Sequence, residues 1–202
     1  MAELKAAILD SLHLDTDGNS IGLMFSGGLD STLLLYLLNT YYSSKFRIKT
    51  YTVSNRCGYD TRVENILSLP QFANVQHQAN VFNLNNFDGN IDWAIVNILY
   101  CGEVSLLVSG VNQNPPVNFH MAPTRPTKEI LGRHPRLRCP FLHLTKDKIL
   151  QTYYDLNIQY LIPYTYSCTE QQEQPCEVCF QCAERNWAFD KLGQPDFKRV
   201  SN

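Results

Sequence analysis

One stretch near the start of the chain narrows its folds more than any other. Residues 20–25 (SIGLMF) are apolar, residues 26–32 (SGGLDST) are small and polar, and residues 33–42 (LLLYLLNTYY) are apolar again. The short apolar run suits a strand buried on both faces, and the longer one suits a buried helix. A strand, a glycine turn and a helix in immediate succession make the opening unit of a parallel α/β sheet.

The rest of the chain continues that alternation. Residues 4–14 read as a preceding amphipathic helix, 46–53 (FRIKTYTV) as a second strand and 61–69 as a helix that stops at Pro70. A weaker strand is expected over 74–81, a helix over 91–104, and a central strand over 105–109 (SLLVS) that ends in Gly110. Residues 112–138 are proline-rich and basic with little periodicity, and they read as a long loop. A short strand over 138–142 follows, then a helix over 145–156 with Thr145 as its cap. A closing helix is expected over 183–192.

The placement of SGGLDST gives it chemical meaning. Glycines allow close backbone approach and positive φ. The next helix offers unpaired N–H groups and the positive end of its dipole. Ser26, Ser31 and Thr32 add hydroxyls, so the loop is a cradle for a phosphate-type anion. Asp30 fits such a cradle when a Mg²⁺ bridges it to phosphate oxygens. The plain alternative is a tight turn and helix cap with no ligand. GxxxxGK is absent, so this is not a Walker loop.

A second cluster lies near the other end. Cys168, Cys176, Cys179 and Cys182 have the spacing C-x7-C-x2-C-x2-C. Four thiolates on one short segment suit a closed, structural Zn²⁺ site. An iron–sulfur cluster, redox thiols and coincidence are the other readings. Cys57, Cys101 and Cys139 stand alone and read as core or incidental residues, and the five histidines show no ligand spacing.

Net charge is −2, from 17 basic and 19 acidic residues, which gives no general electrostatic drive toward nucleic acid. The amino-terminal residues lack the basic-then-apolar pattern of a secretion signal, and no apolar run is long enough to span a bilayer. The expectation is a soluble cytoplasmic protein with reduced thiols. Arg125, Lys128, Arg133, His134, Arg136 and Arg138 gather in the long loop, as a lid, a macromolecular contact or a solvated surface.

SGGxDS resembles the signature of the PP-loop, or N-type, ATP pyrophosphatases, which adenylate a substrate oxygen. The resemblance implies a Rossmann-like (adenine nucleotide α-hydrolase-like) parallel sheet with helices on both faces. It implies that Ser26, Gly27, Gly28, Leu29, Asp30, Ser31 and Thr32 hold the pyrophosphate part of ATP, with Thr52, Val53 and Ser54 near the adenine. The segments Leu144-Thr145-Lys146-Asp147-Lys148-Ile149 and Cys176-Glu177-Val178-Cys179-Phe180-Gln181-Cys182-Ala183-Glu184-Arg185 resemble the 7-cyano-7-deazaguanine synthases, QueC. So does Ser109-Gly110-Val111-Asn112.

That likeness implies adenylation of 7-carboxy-7-deazaguanine, with ammonia as the nitrogen source and preQ0 as product. It makes Asp30, Ser31 and Lys146 the candidate catalytic residues, with Gly110 and Arg185 as further nucleotide contacts. The cofactors implied are ATP, Mg²⁺ and Zn²⁺, and the assembly implied is a homodimer. Residues 1–160 would form the ATP pyrophosphatase domain, with 161–202 a small zinc-binding segment packed on it. On the substrate side the chain departs from the family: Asn86–Trp93 stands where Pro-Gly-Arg-Asn is usual, and Gln113-Asn114-Pro115-Pro116 replaces the family's acidic and Asp-Cys-Arg residues. Another amide-forming deazaguanine synthase, a tRNA-modifying thiolase and a protein–nucleobase ligase are the competing readings, so a nucleic-acid or protein substrate stays open.

Overall fold

The computed structural model describes Asp10 and residues 19–53, 60–79, 87–116, 134–170 and 174–196. Apart from Asp10, the expected helix over 4–14 lies outside them, as do Ser54, Cys57, Arg125, Lys128 and Arg133.

Five short parallel strands form one sheet: β1 (Ser20–Met24), β2 (Arg47–Tyr51), β3 (Gln76–Gln78), β4 (Leu106–Val108) and β5 (Leu137–Arg138). Their spatial order is β3-β2-β1-β4-β5. The chain builds outward from β1 in one direction, then returns to lay β4 on its other side. That reversal puts the switch point between β1 and β4, where open α/β sheets place their ligands.

The helices are α1 (Leu29–Tyr42), α2 (Asp60–Leu67), α3 (Phe87–Tyr100), α4 (Lys146–Asp155) and α5 (Phe180–Leu192). Each strand sends alternate side chains to opposite faces. Ile21, Leu23, Ile48, Leu106 and Val108 join the larger core with α1, α4 and α5. Tyr51 and Leu107 join a second core with Ala94, Ile98 and Leu99 of α3. Gly22 sits on that second face because a Cβ there would come within 2.9 Å of Leu107 Cδ1 and 3.1 Å of Tyr51 Cε2. Both faces of the sheet are therefore covered, which explains why β1 and β4 read as continuous apolar runs.

α1 is buried along almost its whole length, with Leu33, Leu34, Leu35, Leu37 and Leu38 at 0% exposure. Its first turn is clamped by the buried Tyr153 of α4, whose hydroxyl donates to the Leu29 carbonyl at 2.6 Å. α4 and α5 pack on each other, and Asp147 joins them through Lys191 Nζ at 2.7 Å. Each ends on a left-handed residue, Asn157 after α4 and Gly193 after α5.

Several expected boundaries shift. α5 starts three residues before the expected 183, directly after Cys179. Two 3-10 turns, Pro70–Phe72 and Gln159–Tyr164, fall where no element was expected. Thr145 occupies the N-cap of α4, but its hydroxyl donates to the Asp147 carboxylate, so it does not cap the helix backbone. Among the described residues no helix is long and apolar enough to cross a membrane.

Candidate active site

The β1–α1 loop leaves the sheet at its C-terminal edge and turns sharply through Gly27, whose φ is +71°. A side chain would be strained there. Gly28 is different: its φ of −82° is open to any residue, and its part is to act as the N-cap of α1. A web of small-residue hydrogen bonds fixes the turn. Ser31 Oγ accepts from the Ser26 amide at 3.3 Å, donates to the Gly28 carbonyl at 3.3 Å and meets Ser26 Oγ at 3.2 Å.

The β4 end closes against this loop. A Cβ on Gly110 would lie 3.1 Å from Asp30 Cβ and 3.3 Å from the Ser31 amide nitrogen. Only a glycine lets the two strand ends come this close without moving the first turn of α1. From the other side, the Tyr166 amide donates to the Gly27 carbonyl at 3.0 Å. The Arg62 guanidinium, almost fully buried, stacks 3.6 Å from the centre of the Tyr166 ring.

An open cleft of about 1090 Å³, measured out to its mouth, lies over the β1/β4 switch point. Ser26, Gly28, Leu29, Asp30, Ser31 and Lys146 line its polar floor. Met24, Tyr51, Val53, Ile91 and Val111 give one end an apolar lining. Ser167, Thr169 and Gln181 add lining from the cysteine segment. Burial, reinforced by the hydrogen bond to Glu103 at 2.9 Å, pushes the Tyr51 phenol far above its usual range, so it stays neutral.

The sequence expectations divide at this point. Val53 and Gly110 line the cleft with the loop residues just named. Gly27 and Thr32 stand behind that lining, and Thr52 turns its hydroxyl back onto the Phe25 carbonyl at 2.7 Å. Arg185 also lies off the cleft. Its guanidinium is forked onto Asp196 through two 2.8 Å bonds and donates to Thr165 Oγ1 at 2.9 Å, so it ties the tail to α5. Arg136, from the basic stretch, donates to the carbonyls of Leu99 and Val104 at the end of α3. A cation there complements the helix dipole. Lys146 is 5% exposed and bonded to Asp30, which rules out a solvated helix face.

The four cysteines of the tail come together. Their sulfur atoms all lie within 4.8 Å of one another. Thiolates on a single ion with bonds of about 2.3 Å stand roughly 3.8 Å apart, so the set fits one tetrahedral ion. Backbone amides point at the sulfurs: Cys176 N lies 3.4 Å from Cys168 Sγ, and Cys179 N lies 3.3 Å from Cys176 Sγ. The turn that aims them passes through Glu177, held at a φ of +62°. Burial pushes the Cys182 and Cys176 thiols up. Cys139 is raised to about 12 by burial alone and is an inert core thiol.

Sequence reasoning gave no role to Asn112 or Glu184, both buried polar residues joined by a 3.0 Å hydrogen bond. The signal available was that both residues fall inside the segments that resemble QueC, Asn112 after Gly110 and Glu184 two places after the last cysteine.

Comparison with known proteins agrees with this geometry. Residues 127–193 match the family model described as "Queuosine biosynthesis protein QueC". Over 65 residues the chain is 42% identical to the 7-cyano-7-deazaguanine synthase of Methanosphaerula palustris, covering 32% of this chain and 28% of that protein. Over 73 residues it is 37% identical to the enzyme of the same name from Methanospirillum hungatei, covering 36% and 30%. The matches thus span less than a third of those relatives' length. In fold, the chain is similar to the U34-tRNA thiolase NcsA from Methanococcus maripaludis, solved with its 4Fe-4S cluster. That match has a TM-score of 0.58 and 14% identity over 95% of this chain and 72% of that one. NMN synthetase from Francisella tularensis is similar at a TM-score of 0.55 and 10% identity, over 96% and 87%. The two structures bear out the Rossmann-like parallel α/β fold, and the sequence matches bear out the QueC resemblance over the C-terminal third.

Proposed function

We propose that the chain is an ATP-dependent ligase that converts 7-carboxy-7-deazaguanine and ammonia to the nitrile preQ0. One observation carries this reading: the SGGLDST loop and the QueC-matching cysteine segment line a single cleft. A nucleotide cradle and a family-specific segment that share one space argue for a shared reaction.

The chemistry needs no protein nucleophile. A carboxylate oxygen of the substrate attacks the α-phosphorus of ATP, the bond to the β-phosphate oxygen breaks, and pyrophosphate leaves. Ammonia attacks the acyl carbon of the adenylate, AMP departs and a proton is lost, giving the amide. The amide oxygen is adenylated in turn, and loss of AMP and the remaining N–H protons leaves the nitrile. Each step develops charge on phosphate oxygens, so positioning and neutralisation do most of the work.

The residues suit those tasks. The first turn of α1, with Ser26 and Ser31, receives the departing pyrophosphate. Lys146 supplies a fixed positive charge at the floor, and the apolar end beside Tyr51 and Val53 accepts the adenine. Asp30 is a hard oxygen donor 20% exposed at the cleft floor, suited to Mg²⁺, which supplies charge neutralisation when bound with the nucleotide. The four cysteines would hold Zn²⁺ as a structural ion with no open coordination position. In this reading residues 161–202 form a metal-anchored wall on the ATP-splitting domain of residues 1–160. A thiolase reading is less well supported, because no cysteine lines the cleft among the described residues.

The test is product mass. The zinc-loaded protein is incubated with ATP, Mg²⁺, ammonium and 7-carboxy-7-deazaguanine. The nitrile is the expected product; the amide alone would mark an enzyme that stops one adenylation earlier. Absence of both, with ATP still bound, would remove the deazaguanine substrate and leave a PP-loop enzyme for some other acid.

A further inference from the structure

The ammonium of Lys146 stands between two carboxylates brought in by different elements. It bonds Asp30 Oδ2 and lies 3.4 Å from Glu184 Oε2. The two carboxylates differ in setting. The Asp30 side chain is 20% exposed and lines the cleft, whereas the Glu184 side chain is 2% exposed and lies behind the lining. The other Glu184 oxygen accepts a 3.0 Å hydrogen bond from Asn112, itself 2% exposed, just after β4. A carboxylate so deeply buried is tolerable only with a cation and hydrogen bonds around it. Asp30, open to the cleft, can exchange its partner; Glu184 cannot.

We infer that Glu184, fixed by Asn112, is a positioning residue for Lys146: it anchors the ammonium at the cleft floor when Asp30 is drawn to a cation arriving with a polyphosphate. The inference rests on the nucleotide reading of the cleft. A hard divalent cation seeks oxygen donors, and Asp30 is the exposed one beside the loop. With a single carboxylate, the ammonium and that cation would compete for the same oxygens. With two, the roles separate. Asp30 turns to the cation, while Lys146 keeps a partner and faces the incoming phosphates. Cys182 and Glu184 lie two residues apart in α5, so the cysteine-bound wall also delivers this anchor to the cleft.

The test uses the full-length, zinc-loaded protein and α,β-methylene-ATP, titrated calorimetrically at graded Mg²⁺ concentrations. In Glu184→Gln the Mg²⁺ concentration giving half-maximal nucleotide affinity is expected to rise about tenfold, with zinc content unchanged. Asn112→Ser leaves both charges in place and removes the bond that orients Glu184; a shift of about threefold in the same direction is expected. If Glu184→Gln does not fold, Asn112→Ser alone decides. An unmoved Mg²⁺ midpoint overturns the inference, and so does a uniform loss of nucleotide affinity at every Mg²⁺ concentration, which is what a merely structural residue would give. A parent protein that binds no analogue at any Mg²⁺ concentration is a distinct result: it removes the nucleotide reading and this inference with it.

Discussion

The two walls of the cleft are held in shape by different means. The SGGLDST wall is organised by the polypeptide itself. A central strand, an almost wholly buried helix, the Gly27 turn and the close seat of Gly110 fix it. The cysteine wall has little of that support. It is a turn-rich segment whose buried side chains are mainly its own sulfurs and Tyr166. On the proposed function its shape would depend on an ion held by the four thiols, and it meets the first wall through the Tyr166–Gly27 hydrogen bond. Rigid backbone serves the part of a substrate common to a superfamily. A metal-anchored segment can be rebuilt around different acids without disturbing the sheet.

Metal removal should separate the walls most sharply. Stripping the ion with a chelator is expected to speed amide exchange across residues 176–182 about a hundredfold or more, while the interior amides of α1 keep their protection. Hydrogen-exchange mass spectrometry reads both in one experiment. Equal loosening of α1 would show that the SGGLDST wall also depends on the metal.

Gly110→Ala probes the other wall. The added methyl meets backbone atoms of Asp30 and Ser31, which can yield only by displacing the start of α1. Overpacking of this kind costs about 1–3 kcal/mol. A fall of about tenfold in nucleotide affinity should accompany it, with the metal content of the cysteine wall unchanged. Denaturant unfolding and calorimetry check the two parts.

The smallest effect is expected at the joint between α4 and α5. Burial alone would raise the Asp147 carboxyl, but hydrogen bonds from Lys191 and Thr145 outweigh it and hold the group below its usual value. A carboxyl with a lowered folded pKa stabilises the protein above its unfolded value, near 4, and loses that contribution as the pH falls through the folded value. Lys191 is 46% exposed, so solvent screening limits the pair to about 1 kcal/mol or less. Asp147→Asn is therefore expected to lower stability slightly at pH 7 and to flatten its decline below pH 4, as followed by thermal unfolding across pH.

Much of this was legible before any coordinates. The strand–glycine–helix order of residues 20–42 announces the sheet, because apolar runs of those lengths have few other places to go. The C-x7-C-x2-C-x2-C spacing announces the cysteine cluster, because three short intervals bring the sulfurs together whatever the rest does. Residues whose roles depend on long-range neighbours were harder to place. Thr52 and Arg185 carry the right chemistry for a nucleotide, yet their partners, Phe25 and Asp196, turn them away from the cleft. Glu184 and Asn112 meet only through the tertiary fold, in a contact 72 residues apart in the chain. No local pattern carries that information.

The claim on which all of this rests is the bond that is broken in ATP. The most direct test is ³¹P NMR of ATP incubated with the zinc-loaded protein, Mg²⁺, ammonium and 7-carboxy-7-deazaguanine. The account predicts AMP and pyrophosphate rising together, dependent on the deazaguanine acid. ADP and inorganic phosphate in their place would mean cleavage at the γ-phosphate and would contradict it.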